Sequence, residues 1–209
     1  MNVFTSALAE REGQNIPVRI SMTSGRRESG ARLFDAVFGD DGESTSSLTR
    51  LTPDEEAFMG ISHEEDDETN DTNDTTDGEE RLDLITEGIL VCHADPESGA
   101  ATVTISYPES ELTGMEGSQS SVVFRTDEPG LIHMIRTGTV NTALTFREHC
   151  RAVCTYDTPY MPFQVCIHGI RVDNRLLTDG ILLLDYVIEI RGAQAEHCSM
   201  EMRVEEQEI

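Results

Sequence analysis

The sequence predicts an all-β domain, an antiparallel up-and-down barrel of about 8–10 strands, which carries an acidic, partly disordered insertion with one or two short helices. Three observations support this prediction: a two-residue alternation of apolar and polar side chains after position 80, turn residues at regular intervals, and one concentrated run of carboxylates. We expect a tail at 1–16, a first barrel strand at 17–24, the insertion at 25–80 and the rest of the barrel at 81–209.

Alternating hydrophobicity is typical of strands with one buried face. It is clearest in Leu182–Ile190, and it recurs in Val103–Tyr107 and Phe163–Ile167, while Val18–Met22 supplies a strand before the insertion. Turn residues such as Asp95–Gly99 separate the strands, and no helical period lies between them. The pattern predicts sequential antiparallel pairing, closed to remove exposed edges, with an open two-sheet sandwich as the alternative.

The overall charge is strongly negative. The chain of 209 residues has 15 basic and 40 acidic side chains, a net charge of −25 and a pI near 4.3. Such a field repels phosphates and anionic lipid, so we expect neither a nucleic-acid partner nor a membrane partner. The sequence holds no apolar run of about 18 residues, which a membrane span would need. Its five cysteines, an odd number at irregular spacing, favour reduced thiols and a cytoplasmic location.

The acidic residues concentrate in the insertion, where 16 carboxylates face one arginine between Asp40 and Glu80. Its densest part, His63–Glu80, has no apolar residue and cannot offset a backbone entropy cost of about 1–2 kcal/mol per residue, so we predict disorder. Two roles stay open for it, docking of a basic protein partner or a solvated linker. Upstream, Leu33–Phe38 predicts a short apolar helix, and Thr52–Glu55 predicts a helix start with a capping box. Helices this short either pack on the barrel or form only with a partner.

Several segments together resemble a known family. Four stretches carry the likeness: Ser106–Gly117, Ile135–Gly138 ("IRTG"), Tyr156–Tyr160 ("Y-x-TPY") and the closing strand Leu184–Ile190. They are similar to the YwiB-like family of bacterial domains of unknown function. The resemblance covers Val18–Thr23 and about Arg81 to Val204, and it leaves the acidic insertion outside.

The resemblance implies a calycin-like antiparallel β-barrel, the broad architecture of lipocalins and avidins, and it implies no established activity. Two departures from the family pattern stand out. Met161 takes the place of a usual glycine, and His149-Cys150 replaces a glycine-containing turn. The turns at these two places are therefore expected to differ from those of the family.

The polar residues on the family-like segments are the first candidates for a binding site: Glu109, Glu111, Glu116 and Arg136. In an extended chain Glu109 and Glu111 would point to the same side. Two hypotheses stay open. Arg136 could offer its planar fork to a ligand carboxylate or phosphate at the barrel mouth, with a glutamate holding it in position. Alternatively, Arg136 forms an internal ion pair that clasps the Glu111–Gly117 loop over the barrel end.

The four tyrosines are the second group of candidates: Tyr107, Tyr156, Tyr160 and Tyr186. A ligand-binding barrel often places a tyrosine hydroxyl at the base of an apolar cavity. The competing interpretation is that these rings pack in the core and bond their hydroxyls to the backbone.

The third group pairs thiols with imidazoles: Cys92-His93, His149-Cys150, Cys166-x-His168, His197-Cys198, with Cys154 nearby. Neighbours on a strand point to opposite faces, so each adjacent pair offers only one ligand to either side, and no C-x-x-C occurs. We therefore expect no metal and no cofactor. Cys166 and His168 share a face, which the alternation places on the outside of the barrel.

Motifs that indicate catalysis are missing from the sequence. It has no G-x-S-x-G, no Gly-rich phosphate loop, no H-E-x-x-H and no lysine. We predict no catalytic residue and no enzyme, but non-catalytic binding of a small ligand in or at the mouth of the barrel. The alternative is an interaction module, in which a filled barrel is the scaffold and the acidic insertion docks a basic partner. A cavity of roughly 300 Å³ or more would favour the ligand binder.

Overall fold

The computed structural model describes residues 11–34, 48–58, 61 and 80–207. Strands make up most of these ranges: β1 (Ile16–Ser29), β2 (Thr49–Arg50), β3 (Glu80–Ala94), β4 (Ala101–Pro108), β5 (Gln119–Arg125), β6 (Glu128–Thr137), β7 (Thr142–Phe146), β8 (Cys150–Tyr156), β9 (Phe163–Arg175), β10 (Ile181–Ile190) and β11 (Ala195–Glu206). Helical structure in the same ranges is limited to α1 (Pro53–Phe58) and a 3₁₀ turn at Glu111–Thr113.

The strands form one sheet in the order β2-β8-β9-β10-β11-β1-β3-β4-β5-β6-β7, and each paired neighbour runs antiparallel. The sheet curls until β7 and β8 approach each other, where Asn141 and Asp157 exchange two backbone hydrogen bonds of 2.9 Å. The predicted all-β antiparallel class is confirmed, in the form of a curled, half-barrel sheet of mostly sequential strands.

The concave side of the sheet holds the main apolar core. On β10, Leu182 and Leu184 lie fully inside, as the alternation predicts, and Ile188 packs against the same cluster. Phe124 and Phe146 fill the centre. Each such buried side chain contributes about 1.5–3 kcal/mol through removal of apolar surface from water, so this inner face drives the folding of the sheet.

The strand bounds place β1 in the middle of the sheet. It runs to Ser29, beyond the expected end at residue 24, because its second half pairs with β11 from Ser24 opposite Met200 to Ser29 opposite Ala195. On its other side β1 pairs with β3 along Ile16–Arg26. The division of the chain into tail, barrel and insertion stays a prediction.

The described part of the insertion packs on the convex side of the sheet. Leu33, Leu51 and Ile61 are buried against Cys166 and Val187 in a second apolar cluster. The insertion thus covers the outside of β9 and β10. Residues 35–47 and 62–79 lie outside the described residues, so the predicted disorder of the acidic run and most of the helix predicted at Leu33–Phe38 stay predictions.

Helix α1 starts at the predicted place. The Thr52 hydroxyl and backbone amide both donate to Glu55 Oε2 at 2.8 Å, and the Glu55 amide returns a bond to Thr52 Oγ1 at 3.4 Å. These reciprocal bonds form the expected capping box. They also lower the pKa of the Glu55 carboxyl, because the backbone and the side chain of Thr52 both donate to its charged form.

Candidate functional site

A cavity of about 640 Å³ opens at one end of the curled sheet, between the inner faces of the strands and the 3₁₀ turn. It begins where the filled core stops, at Tyr186, whose ring meets Phe146 edge-on with centroids 4.9 Å apart. Beyond this ring, β1 offers the small residues Ser24 and Gly25 to the space. Beyond Tyr186 the curled sheet therefore surrounds a space that its own side chains leave open.

Strand register brings the polar residues of the cavity together. Ser120 on β5 is paired with Tyr107 on β4 and with Arg136 on β6, so these three residues form one row across the concave face. Glu109 follows directly after β4, and its amide bonds to the Ser118 carbonyl at 2.9 Å. The row therefore brings a phenol, a hydroxyl and a guanidinium together, with the Glu109 carboxylate beside them.

Arg136 and Glu109 form a buried ion pair in this row. Arg136 Nε lies 3.3 Å from Glu109 Oε1, and the side chains are 14% and 2% exposed. Ser120 Oγ donates to the same carboxylate oxygen, and Arg136 Nη1 donates to the Tyr156 hydroxyl at 2.5 Å. Burial opposes the charge on Arg136, yet Tyr156 and Glu109 raise its pKa, so the guanidinium stays charged.

The loop between β4 and β5 is held over this ion pair. Tyr156 donates its hydroxyl proton to Met115 Sδ at 3.5 Å, which links the Arg136 network to the loop. Gly138, with φ 128°, lies so close to the loop that a Cβ on it would come within 2.4 Å of the Gly117 carbonyl oxygen. The loop and the turn after β6 fit together only because Gly138 lacks a side chain.

The walls of the cavity are apolar and rich in thioethers. Half of the eight methionines of the chain line it: Met22, Met115, Met134 and Met200. Tyr107, Tyr156 and Tyr186 also line it, and burial raises the pKa of the Tyr107 phenol to about 12. Burial likewise raises the pKa of the Cys198 thiol, which lines the same space, to about 11. The phenol of Tyr107 and this thiol are therefore neutral at physiological pH.

The structure brings five of the candidates named from sequence together: Glu109, Arg136, Tyr107, Tyr156 and Tyr186. It does not bring the other three. Glu111 and Glu116 are exposed, and the Tyr160 ring is 95% exposed. The expected pairing of Glu109 with Glu111 on one side is wrong, because the chain leaves the extended conformation and enters the 3₁₀ turn at Glu111.

Sequence reasoning missed Ser120 and the four methionines of the cavity. The signal for Ser120 was present. It stands on β5 at an inward position, in step with the apolar Val122 and Phe124. A polar residue at a core position of an alternating strand indicates a buried hydrogen-bonding group.

A second buried carboxylate, Glu56 of α1, lies on the convex side of the sheet. Its Oε1 is 2.9 Å from His168 Nε2 on β9 and 3.0 Å from His149 Nδ1. Glu56 is 2% exposed and His168 is fully buried, so the contact between them is shielded from solvent, while the His149 side chain is 42% exposed. Cys166 and His168 do share the outer face, as predicted, but the insertion covers that face.

The residues that the structure describes contain no group of three or more His, Cys, Asp or Glu side chains arranged to hold an ion. All five cysteines are free thiols in the described ranges. No helix in those ranges is both long and apolar enough to cross a lipid bilayer.

Fold and site together define a class, an antiparallel half-barrel domain with an internal cavity floored by a buried ion pair. Comparison with known families is more specific. Residues 67–202 match the family described as Domain of unknown function (DUF1934), and the chain belongs to that family. No protein with a curated description matches it.

One solved structure is similar in fold, the crystal structure of the ywiB protein from Bacillus subtilis. The likeness covers 93% of this chain and 96% of that chain at a TM-score of 0.50 and 9% sequence identity. At this identity the comparison concerns the fold alone. The resemblance to the YwiB-like family, found from the sequence motifs, is confirmed.

Proposed function

We propose that this protein binds a small ligand, without catalysing a reaction on it, in the cavity at the open end of the half-barrel. The observation that carries the proposal is the cavity volume of about 640 Å³. Drug-sized ligands occupy pockets of roughly 300–1,000 Å³. A barrel that served only as a scaffold would fill this space with side chains.

The chemistry of the lining supports the proposal. Ligand pockets combine mainly apolar walls with a few polar groups that converge on one place. Here leucines, an isoleucine and methionines form the walls, while Arg136, Glu109 and the three tyrosine hydroxyls mark the polar part. This division lets a ligand bury an apolar body and orient a polar end.

The polar groups suit holding a ligand more than transforming one. Glu109 Oε1 accepts hydrogen bonds from both Ser120 and Arg136, so these two protein donors already occupy this oxygen. The Cys198 thiol, with a pKa raised to about 11 by burial, carries little of the thiolate that a nucleophile requires. The surroundings of these two groups therefore favour holding a ligand over reacting with it.

Native mass spectrometry of freshly purified protein tests the proposal. A matched pair of variants places the ligand: Leu84→Trp fills the cavity, and Ile85→Trp adds the same ring to the outer face of the same strand, where Ile85 is 63% exposed. We expect added mass on the wild type and on Ile85→Trp, and its loss from Leu84→Trp. The proposal would be contradicted if the wild type carried no added mass and if a small-molecule extract did not raise its melting temperature.

A second proposal concerns the acidic insertion, with its 16 carboxylates against one arginine between Asp40 and Glu80. We propose that it docks a basic protein surface in the cytoplasm, where the five thiols stay reduced. An oligo-arginine peptide serves as the probe. Its binding should weaken steeply with salt and disappear when residues 62–79 are deleted, while cavity ligands still bind. Equal peptide affinity for the deleted and the full chain would contradict this role.

A further inference from the structure

Resting on the proposed function, we infer that the cavity takes an uncharged ligand, with an aromatic, apolar body and an oxygen that accepts a hydrogen bond. Three properties of the lining support this chemical class: its net charge, the nature of its walls and a charged donor whose present partner is weak.

The charges of the lining cancel, in contrast to the rest of the chain. Three arginines and three glutamates contribute: Arg26, Arg81, Arg136, Glu80, Glu109 and Glu196. Arg26 bonds to Glu80 at 2.5 and 2.9 Å at the mouth, and Arg136 pairs with Glu109 at the floor. The whole chain has a net charge of −25. The cavity is therefore a neutral region within a strongly acidic protein.

A neutral lining discriminates against charged ligands. A carboxylate or phosphate brought to the floor would face an arginine that Glu109 already neutralises, and would be left as an uncompensated buried charge. The negative field of the protein disfavours the approach of an anion further. An ammonium ligand would likewise face a glutamate that Arg136 already neutralises, and would also be left as an uncompensated buried charge. An uncharged molecule avoids these costs.

The walls favour an aromatic body. Methionine side chains are flexible and polarisable, and their sulfur atoms make favourable contacts with aromatic rings at about 5 Å. Four of them, Met22, Met115, Met134 and Met200, come from different parts of the chain and surround the same space. Thioethers on several sides can adjust to a flat, rigid ligand.

The floor offers two donors whose present partners are thioethers, the Tyr156 hydroxyl and Arg136 Nη2, and the charged Arg136 is the stronger donor of the two. Arg136 Nε faces Glu109 and Ser120, and Nη1 donates to Tyr156. Nη2 donates to Met134 Sδ at 3.4 Å. A thioether is a weak acceptor, so a ligand carbonyl oxygen in its place would form a stronger bond. The acceptor oxygen of the ligand is therefore assigned to Arg136 Nη2.

The charge preference is tested with two fluorescent probes of the same aromatic body, N-phenylnaphthylamine and anilinonaphthalene sulfonate. Titrations in about 1 M salt, where the Debye length is about 3 Å, remove the long-range field of the protein and leave the cavity itself. We expect the uncharged amine to bind at least tenfold more tightly, and Leu84→Trp but not Ile85→Trp to abolish its binding. Equal or tighter binding of the sulfonate overturns the inference. Failure of both probes counts against the proposed function instead.

The acceptor is tested by competition, with fluorene and fluorenone displacing the bound amine. These rigid molecules differ in a single carbonyl oxygen. We expect fluorenone to compete at least fivefold more strongly in the wild type and in Met134→Leu, and the preference to vanish in Arg136→Lys. The lysine keeps the cation beside Glu109 and removes Nη2, so the protein remains folded. Equal competition by the two molecules in the wild type overturns the assignment of the acceptor.

Discussion

The side chains of Glu109 and Glu56 are each 2% exposed, on opposite sides of one sheet, and they are held in different ways. Glu109 lies on the concave side and pairs with an arginine two strands away, at a place that strand register sets. Glu56 lies on the convex side and bonds to histidines of the barrel from within the insertion. The inner pair is a product of sheet pairing. The outer one exists only because a separate segment packs on the finished sheet.

The buried carboxylates on the two sides of the sheet also serve different purposes. The inner ion pair lines an open cavity and can meet a ligand, whereas the outer carboxylate belongs to the insertion itself and is buried where the insertion meets the sheet. Nearby, Glu189 accepts the amide of Phe34 at 3.1 Å and that of Leu33, so a further buried acid holds the insertion against β10. Carboxylates on the outside thus attach a segment, while the carboxylate on the inside shapes a site.

The largest expected effect is on the inner pair. Arg136→Met leaves Glu109 buried without its cation and should lower the free energy of unfolding by about 3–5 kcal/mol. Urea denaturation followed by circular dichroism measures it. The matched control is Arg125→Met, which breaks the exposed pair with Asp127 and should leave the midpoint unchanged. A wild-type midpoint for Arg136→Met would contradict the buried ion pair.

Removing the charge of the outer carboxylate, Glu56, should lower stability less, and it should expose one place in the chain to proteolysis. Glu56→Gln keeps the size of the side chain but removes its charge beside His168 and His149, at a cost of about 1–3 kcal/mol. Because the insertion loses its attachment, trypsin should cut at Arg50 faster while the barrel stays intact. Glu55→Gln is the control, since glutamine still serves in a capping box. Equal cleavage rates in the two variants would show that Glu56 does not attach the insertion.

The alkylation rates of two cysteine thiols report separately on the two faces of the sheet. Cys166 is buried beneath the insertion, Cys198 lines the cavity, and burial raises their pKa to about 12 and about 11. At pH 8 only about one Cys198 thiol in a thousand and about one Cys166 thiol in ten thousand is a thiolate, so alkylation should be slow at both. Glu56→Gln should speed the labelling of Cys166 alone, as counted by peptide mass spectrometry. A bound cavity ligand should slow the labelling of Cys198 alone. Any other pattern of labelling would show that the two thiols do not report on separate faces of the sheet.

Alkaline pH should lower the free energy of unfolding modestly, through one buried thiol on each face of the sheet. An unfolded thiol titrates near pH 8.5, whereas Cys166 and Cys198 keep their protons in the folded chain to about pH 12 and 11. Above the unfolded value the unfolded chain binds fewer protons than the folded one, so stability falls as pH rises from about 9 toward the folded values. Unfolding midpoints at pH 7, 9 and 10 measure the fall. Cys166→Ala and Cys198→Ala should each make stability fall less with rising pH. If both variants lose stability as steeply as the wild type, these two thiols are not the cause of the fall.

Sequence patterns predicted much of the site, and there are physical reasons why they did not predict the remaining residues. Alternation placed Tyr107 and Tyr186 on inward faces, and the family-like segments pointed to Glu109 and Arg136. Glu111 was expected beside Glu109, but a tight turn interrupts the extended chain between β4 and β5. The four methionines come from distant strands, and no local pattern indicates that they surround one space.

The sequence by itself determined the strands, their order along the chain and the start of α1, because two-residue alternation, turn residues and a capping box are local signals. Tertiary structure alone decided how far the sheet curls, which end stays open, and that Glu56 reaches His168 across the outer face. The reason is that a cavity and a docked segment arise from contacts between residues far apart in the chain. Only the folded sheet sets their distances.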